Sequence, residues 1–128
     1  GSLKLKEISY VHSEALAAGE LKHGTLALVV PGVVVVALGT QPALIEKTVS
    51  NVQQVGARGA EVVGVATEST APVLAPHVDE LITVPAIDPL LAPVLAAIPL
   101  QLLAYHMARL RGHDVDQPRN LAKSVTVE

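Results

Sequence analysis

A chain of 128 residues, half of them hydrophobic, is long enough for one domain with its own core, since folding at that size buries roughly two-thirds of the unfolded surface. It has no Cys, which excludes disulfides and thiolate metal sites and fits a cytoplasmic protein. Its formal net charge of −3, with Lys and Arg scattered, gives no electrostatic footprint for nucleic acid. With no Phe, no Trp and only Tyr10 and Tyr105, the core has to come from Leu, Val, Ile and Ala, which suits an alanine-rich source or a redesigned sequence.

Gly1 and Ser2 read as a cloning remnant, and the charges spread through Leu3 to Gly24 exclude a secretory signal. Leu5, Ile8, His12, Ala15 and Leu16 recur at helical spacing and predict an amphipathic helix from Leu3 to Ala18, stopped by Gly19, with His12 in the core. Val33 to Leu38 is an unbroken β-branched run between two glycines, as expected of a central parallel strand buried on both faces. Thr40 is placed to cap a helix that has Pro42 in its first turn and closes at Gly59. Glu61 to Ala66 and Glu80 to Val84 predict two more strands, with a loop and one helical turn between Thr67 and Pro76. Asp88 and Pro89 open a last helical stretch, interrupted or kinked by Pro93 and Pro99, that ends at Gly112. Strand and helix alternate, so the fold class is α/β with a mostly parallel sheet and right-handed crossovers. Leu26 to Gly39 is too short to cross a bilayer. Pro89 to Leu110 is long enough, but its prolines, Gln101 and His106 favour a buried helix, and no membrane partner is expected.

Lys4 and Glu7, three residues apart, share the face of the first helix away from its apolar stripe, and on spacing alone such a pair is an ordinary solvated helix face. His23 stands in ELKHG, where a histidine is either plain surface or well placed to move protons near neutral pH. His12, His77, His106 and His113 lack metal-ligand spacing, so no metal and no cofactor is expected. The last fifteen residues, Asp114 to Glu128, are polar and helix-poor, without a Gly/Ser spacer. Pro118 and the alternation of Leu121, Lys123, Val125 and Val127 predict an extended segment docked on the body, and such a segment can deliver Lys123 to a pocket.

That tail, DVDQPRNLAKSVTVE, resembles the C-terminal tail of the glucosamine-6-phosphate synthases, the glutamine:fructose-6-phosphate amidotransferases. LKLKEISYVHSEALAAGELKHG, Leu3 to Gly24, resembles a second block of the same family, in the same order and at similar separation. The resemblance covers most of the chain and implies the C-terminal half of that family's isomerase region. This half is a single sugar isomerase (SIS) domain over residues 3–113, with a flavodoxin-like sheet flanked by helices and the tail over residues 114–128. It implies Glu7 as the base that moves a proton between adjacent sugar carbons, assisted by Lys4. It also implies His23 as the ring-opening residue, supplied by the neighbouring subunit of a homodimer, and Lys123 as the amine that forms a Schiff base with the open-chain ketose. A lysine in that role has to shed its proton, which burial or the nearby charge of Lys4 would promote.

The implied substrate and product are fructose-6-phosphate and glucosamine-6-phosphate, with ammonia from a glutaminase domain. That domain and the first SIS subdomain, which carries the family's phosphate loop, have no counterpart in this sequence. The chain departs from the family at Thr25, where Pro is common, and in Leu28 to Val33, which is two residues shorter. Thr67 to Thr70, TEST, is the one short loop with hydroxyls enough to bind an anion. Two other readings of the chain are a non-catalytic SIS module for dimerisation or sugar-phosphate sensing and a redesigned scaffold that retains the motifs.

Overall fold

The structure is a computed structural model that describes residues Gly1–Arg119. It divides into two compact units, one formed by Leu16–Ala97 and the other by Gly1–Ala15 with the chain from Ile98 onward.

The first unit is built on three parallel strands, β1 (Val34–Gly39), β2 (Glu61–Thr67) and β3 (Glu80–Val84), in spatial order β1-β2-β3. Val35 lies opposite Val62 and Val65 opposite Ile82. Helix α2 (Ile45–Gly56) joins β1 to β2, and the short helix α3 (Ala71–Leu74) lies between β2 and β3. Ile45, Val49, Val52 and Val55 recur at helical spacing on α2 and are its buried residues. They pack with Val62, Ala66 and Leu74 against one face of the sheet. Strand side chains alternate, so Val36, Val65 and Val84 serve the opposite face, where they meet Leu95 and Ala96 of α4 (Ala92–Leu110). Fully burying one such Val or Leu contributes about 1.5–3 kcal/mol before entropy is counted, so this helix-sheet-helix stack of aliphatic residues holds the unit without aromatic help.

Close approach explains Gly39 at the end of β1, where an added Cβ would stand 2.8 Å from Leu74 Cδ2 and 3.0 Å from Ile45 Cδ1. Thr70 ties the neighbouring strand ends together. Its Oγ1 donates to Gly39 O at 2.6 Å and accepts from Thr67 N at 3.0 Å, all buried. Ahead of β3, Asp79 bonds Val62 twice, accepting its N–H through Oδ2 at 2.7 Å and donating its own N–H to its carbonyl at 2.9 Å.

Four expectations change here. Within the described sheet β2 is the central, most buried strand and β1 is an edge, with Val34 60% and Leu38 48% exposed. An unbroken Val run is equally compatible with either place, because hydropathy reports side chains and not strand neighbours. Thr40 is buried and caps nothing. Pro42–Leu44 forms a 3-10 turn with Gln41 at its start, and α2 begins only at Ile45. Pro93 falls in the first turn of α4, where a missing N–H costs no bond, and the helix runs on through Pro99 without interruption. The TEST loop turns its hydroxyls on itself, with Thr67 Oγ1 within 3.0 Å of Thr70 Oγ1 and 2.9 Å of Ser69 Oγ. They serve to close the strand ends.

In the second unit the first helix, α1, is short: Ser2–Ser9 instead of Leu3 to Ala18. Tyr10 takes the left-handed conformation, φ 58°, and its N–H closes the helix on Lys6 O at 3.2 Å. The following segment folds back, so that Ser2 Oγ donates to Ser13 O at 3.1 Å and meets Ser13 Oγ at 2.9 Å. A 3.6-residue apolar repeat was present, but polar ties to the backbone and Tyr10's own contacts outweigh a stripe in which α1 buries only Ser9. His12 lies beyond that break and is 86% exposed, so it is not a core residue. At the far end of α4, Gly112 with φ 73° makes a Schellman closure: Gly112 N donates to Arg109 O and His113 N to Ala108 O. Asp114 Oδ1 then accepts from Asp116 N at 2.9 Å and Gln117 N at 3.3 Å. The start of the tail is therefore an Asx turn where an extended run was expected.

Candidate active site

Helix α1 positions two of the four expected site residues. Lys4 and Glu7 lie one turn apart, and Lys4 Nζ donates to Glu7 Oε2 at 2.6 Å. The lysine side chain is 56% exposed and the glutamate 21%, so the carboxylate is the more sheltered member. Beside the same helix a shallow groove of 310 Å³ is lined by Lys6, Tyr10, Val11 and His12. Its lining does not include Lys4 or Glu7. This pair is a charged couple at the surface of α1 in which the ammonium fixes the direction of the carboxylate.

His23 ends a 3-10 helix, Ala18–His23, in the other unit. Its ring Nδ1 lies 2.7 Å from Glu20 Oε2, three residues earlier. A carboxylate only accepts, so Nδ1 carries the proton of this bond. The imidazole is 72% exposed, which leaves Nε2 open to a ligand or another chain. Glu20 is the residue that sequence reasoning missed. The signal was present in ELKHG, where Glu and His stand at the i, i+3 spacing that brings side chains together on a helical turn.

The structure thus brings Lys4 to Glu7 and Glu20 to His23, while Lys123 lies outside the described residues. Among the described residues no group of three His, Asp or Glu is placed to hold a metal ion, and no helix is long and apolar enough to cross a membrane.

Residues 1–111 match the SIS domain family. The isomerizing glutamine–fructose-6-phosphate aminotransferase of Symbiobacterium thermophilum is 63% identical over 126 residues, covering 98% of this chain and 20% of that protein. Its counterpart in Thermus thermophilus is 58% identical over 130 residues, covering 100% of this chain and 21% of that protein. The chain spans about a fifth of the length of both relatives. A sequence of the same name from Sphingobium yanoikuyae is 54% identical over 128 residues, which make up 82% of it. Among solved structures, the C-terminal domain of glucosamine-fructose-6-phosphate aminotransferase from Francisella tularensis superposes with a TM-score of 0.85 at 44% identity, covering 91% of this chain and 33% of that one. The chain belongs to the SIS domain family, and within it to the C-terminal SIS domain of the isomerizing glutamine–fructose-6-phosphate aminotransferases.

Proposed function

We propose that this domain forms part of an enzyme that turns fructose-6-phosphate into glucosamine-6-phosphate with glutamine-derived ammonia, and that it works as a cytoplasmic homodimer together with a glutaminase domain and a first SIS subdomain. The observation that carries the reading is the sheltered Glu7 carboxylate, held by Lys4 on α1, in a chain so similar to these aminotransferases.

The chemistry assigns one task to each residue. His23, with Nδ1–H engaged by Glu20, takes the proton of the anomeric hydroxyl on Nε2 and returns it to the ring oxygen as the ring bond breaks, which opens the hemiketal. The Lys123 amine adds to the freed C2 carbonyl and expels water, which leaves an imine whose nitrogen draws electrons from C1. Ammonia then displaces the lysine. Glu7 removes a proton from C1 and delivers it to C2 while the C1 hydroxyl proton passes to the imine nitrogen, which leaves the carbonyl at C1 and the amine on C2. Lys4 keeps the carboxylate aimed during this transfer. His23 belongs to the unit that does not carry Glu7, and in this reading it serves the site of a second subunit.

In a full-length enzyme carrying this segment, Glu7→Gln is expected to lower the isomerisation of fructose-6-phosphate to glucose-6-phosphate by roughly 10²–10⁴-fold, the usual worth of a positioned general base. Activity that survives the substitution rejects Glu7 as the base. Sedimentation of the enzyme as a monomer rejects the shared site.

A further inference from the structure

Tyr10 occupies a position where its side chain is a disadvantage. The residue that closes a helix in the left-handed conformation is ordinarily Gly or Asn, since a Cβ is strained there, yet Tyr10 sits at φ 58° at the end of α1. A strained residue persists when surrounding contacts hold it. Tyr10 has three such contacts. Its hydroxyl accepts the backbone N–H of Arg119 at 2.8 Å, the Arg119 guanidinium lies 4.1 Å from its ring centre, and the His113 ring meets it edge-on at 4.6 Å and 63°. The route to Arg119 is itself defined, first by the Schellman closure at Gly112 and then by the Asx turn at Asp114.

We propose that Tyr10 is a positioning residue that anchors the C-terminal tail at Arg119, one helical turn beyond Glu7, and thereby sets where Lys123 can reach. The phenol is suited to both halves of the task. Its oxygen takes a backbone donor that would otherwise need water, and its face takes a cation. Lys123 follows Arg119 by four residues, so covalent geometry keeps its Cα within about 14 Å of the anchor. A tail released at Arg119 would be tethered from farther back, so its lysine would range over a wider space. The link to Lys123 rests on the proposed function; the anchor itself does not.

An arginine-specific protease separates the two. In the 128-residue chain, Tyr10→Phe removes the acceptor and keeps the ring, whereas Tyr10→Gly removes all three contacts and suits the left-handed backbone. Cleavage after Arg119 is expected to rise roughly two- to tenfold in Tyr10→Phe and further in Tyr10→Gly, with cleavage after Arg58 unchanged. In the full-length enzyme, borohydride trapping of fructose-6-phosphate on Lys123 is expected to fall in both variants. Unchanged cleavage after Arg119 in Tyr10→Gly overturns the anchor. Faster cleavage with undiminished trapping overturns its positioning role. Absence of any Lys123 adduct in the parent enzyme, with cleavage still accelerated, overturns the functional reading and leaves the anchor standing.

Discussion

The described residues of the two units differ in their contacts. Among the described residues both apolar clusters lie in Leu16–Ala97, on the two faces of a three-stranded sheet. In the other unit Ala104 and Ala108 of α4 are fully buried, whereas α1 buries only Ser9 and carries identifiable polar contacts: Ser2 with Ser13, Lys4 with Glu7, Tyr10 with Arg119. Apolar packing is non-directional and spread over many atoms, so it tolerates small changes of shape. A hydrogen bond is made or lost with one atom. The residues proposed for chemistry on α1 therefore sit where single side chains set geometry.

That contrast can be broken at several points. The largest effect is expected from Leu74→Ala, since Leu74 is fully buried between Gly39 and Gly64 and its loss leaves a cavity in the packed cluster. The cost should be about 2–5 kcal/mol in urea unfolding, and a loss under about 1 kcal/mol would mean that the cluster is not what holds the unit. Next comes Thr70→Val, which keeps the volume but strips Gly39 O and Thr67 N of their buried partner. A loss of about 1–3 kcal/mol is expected by the same measurement, and a neutral result would show that the strand ends need no polar tie. The smallest effect belongs to Ser13→Ala, which removes one hydroxyl facing Ser2. It should cost about 0.5–1.5 kcal/mol and appear as faster amide hydrogen exchange in α1 with the sheet amides unchanged; exchange rising equally in both units would mean that the contact is not local to α1.

The strands were the most legible elements. β3 was expected at Glu80 to Val84 and lies there, and β2 and β1 each differ from expectation by one residue at an end or in position. Short runs of Val between turn residues leave few alternatives. The site was legible in part. The spacing of Lys4 and Glu7 pointed to a shared helix face, and the two side chains do meet. The Glu20–His23 pair has the same form, but its 3-10 turn carries no apolar periodicity to announce it. The helix expected to reach Ala18 failed for a related reason. Apolar spacing continued past Ser9, but it could not show that Tyr10 would be occupied by Arg119 and His113, residues more than a hundred positions away.

The sequence by itself determined the α/β class, the place of the described strands, the apolar face of α2 and, through its two terminal blocks, the family. These follow from local periodicity and turn chemistry, which act over a few residues. Only the tertiary structure decided that β1 is an edge of the described sheet, that Thr40 is buried without capping, that α1 stops at Tyr10 and that the tail is tied down at Arg119. Each of those depends on a partner distant in sequence, and the free energy of such a contact is written in the pair and not in either residue alone.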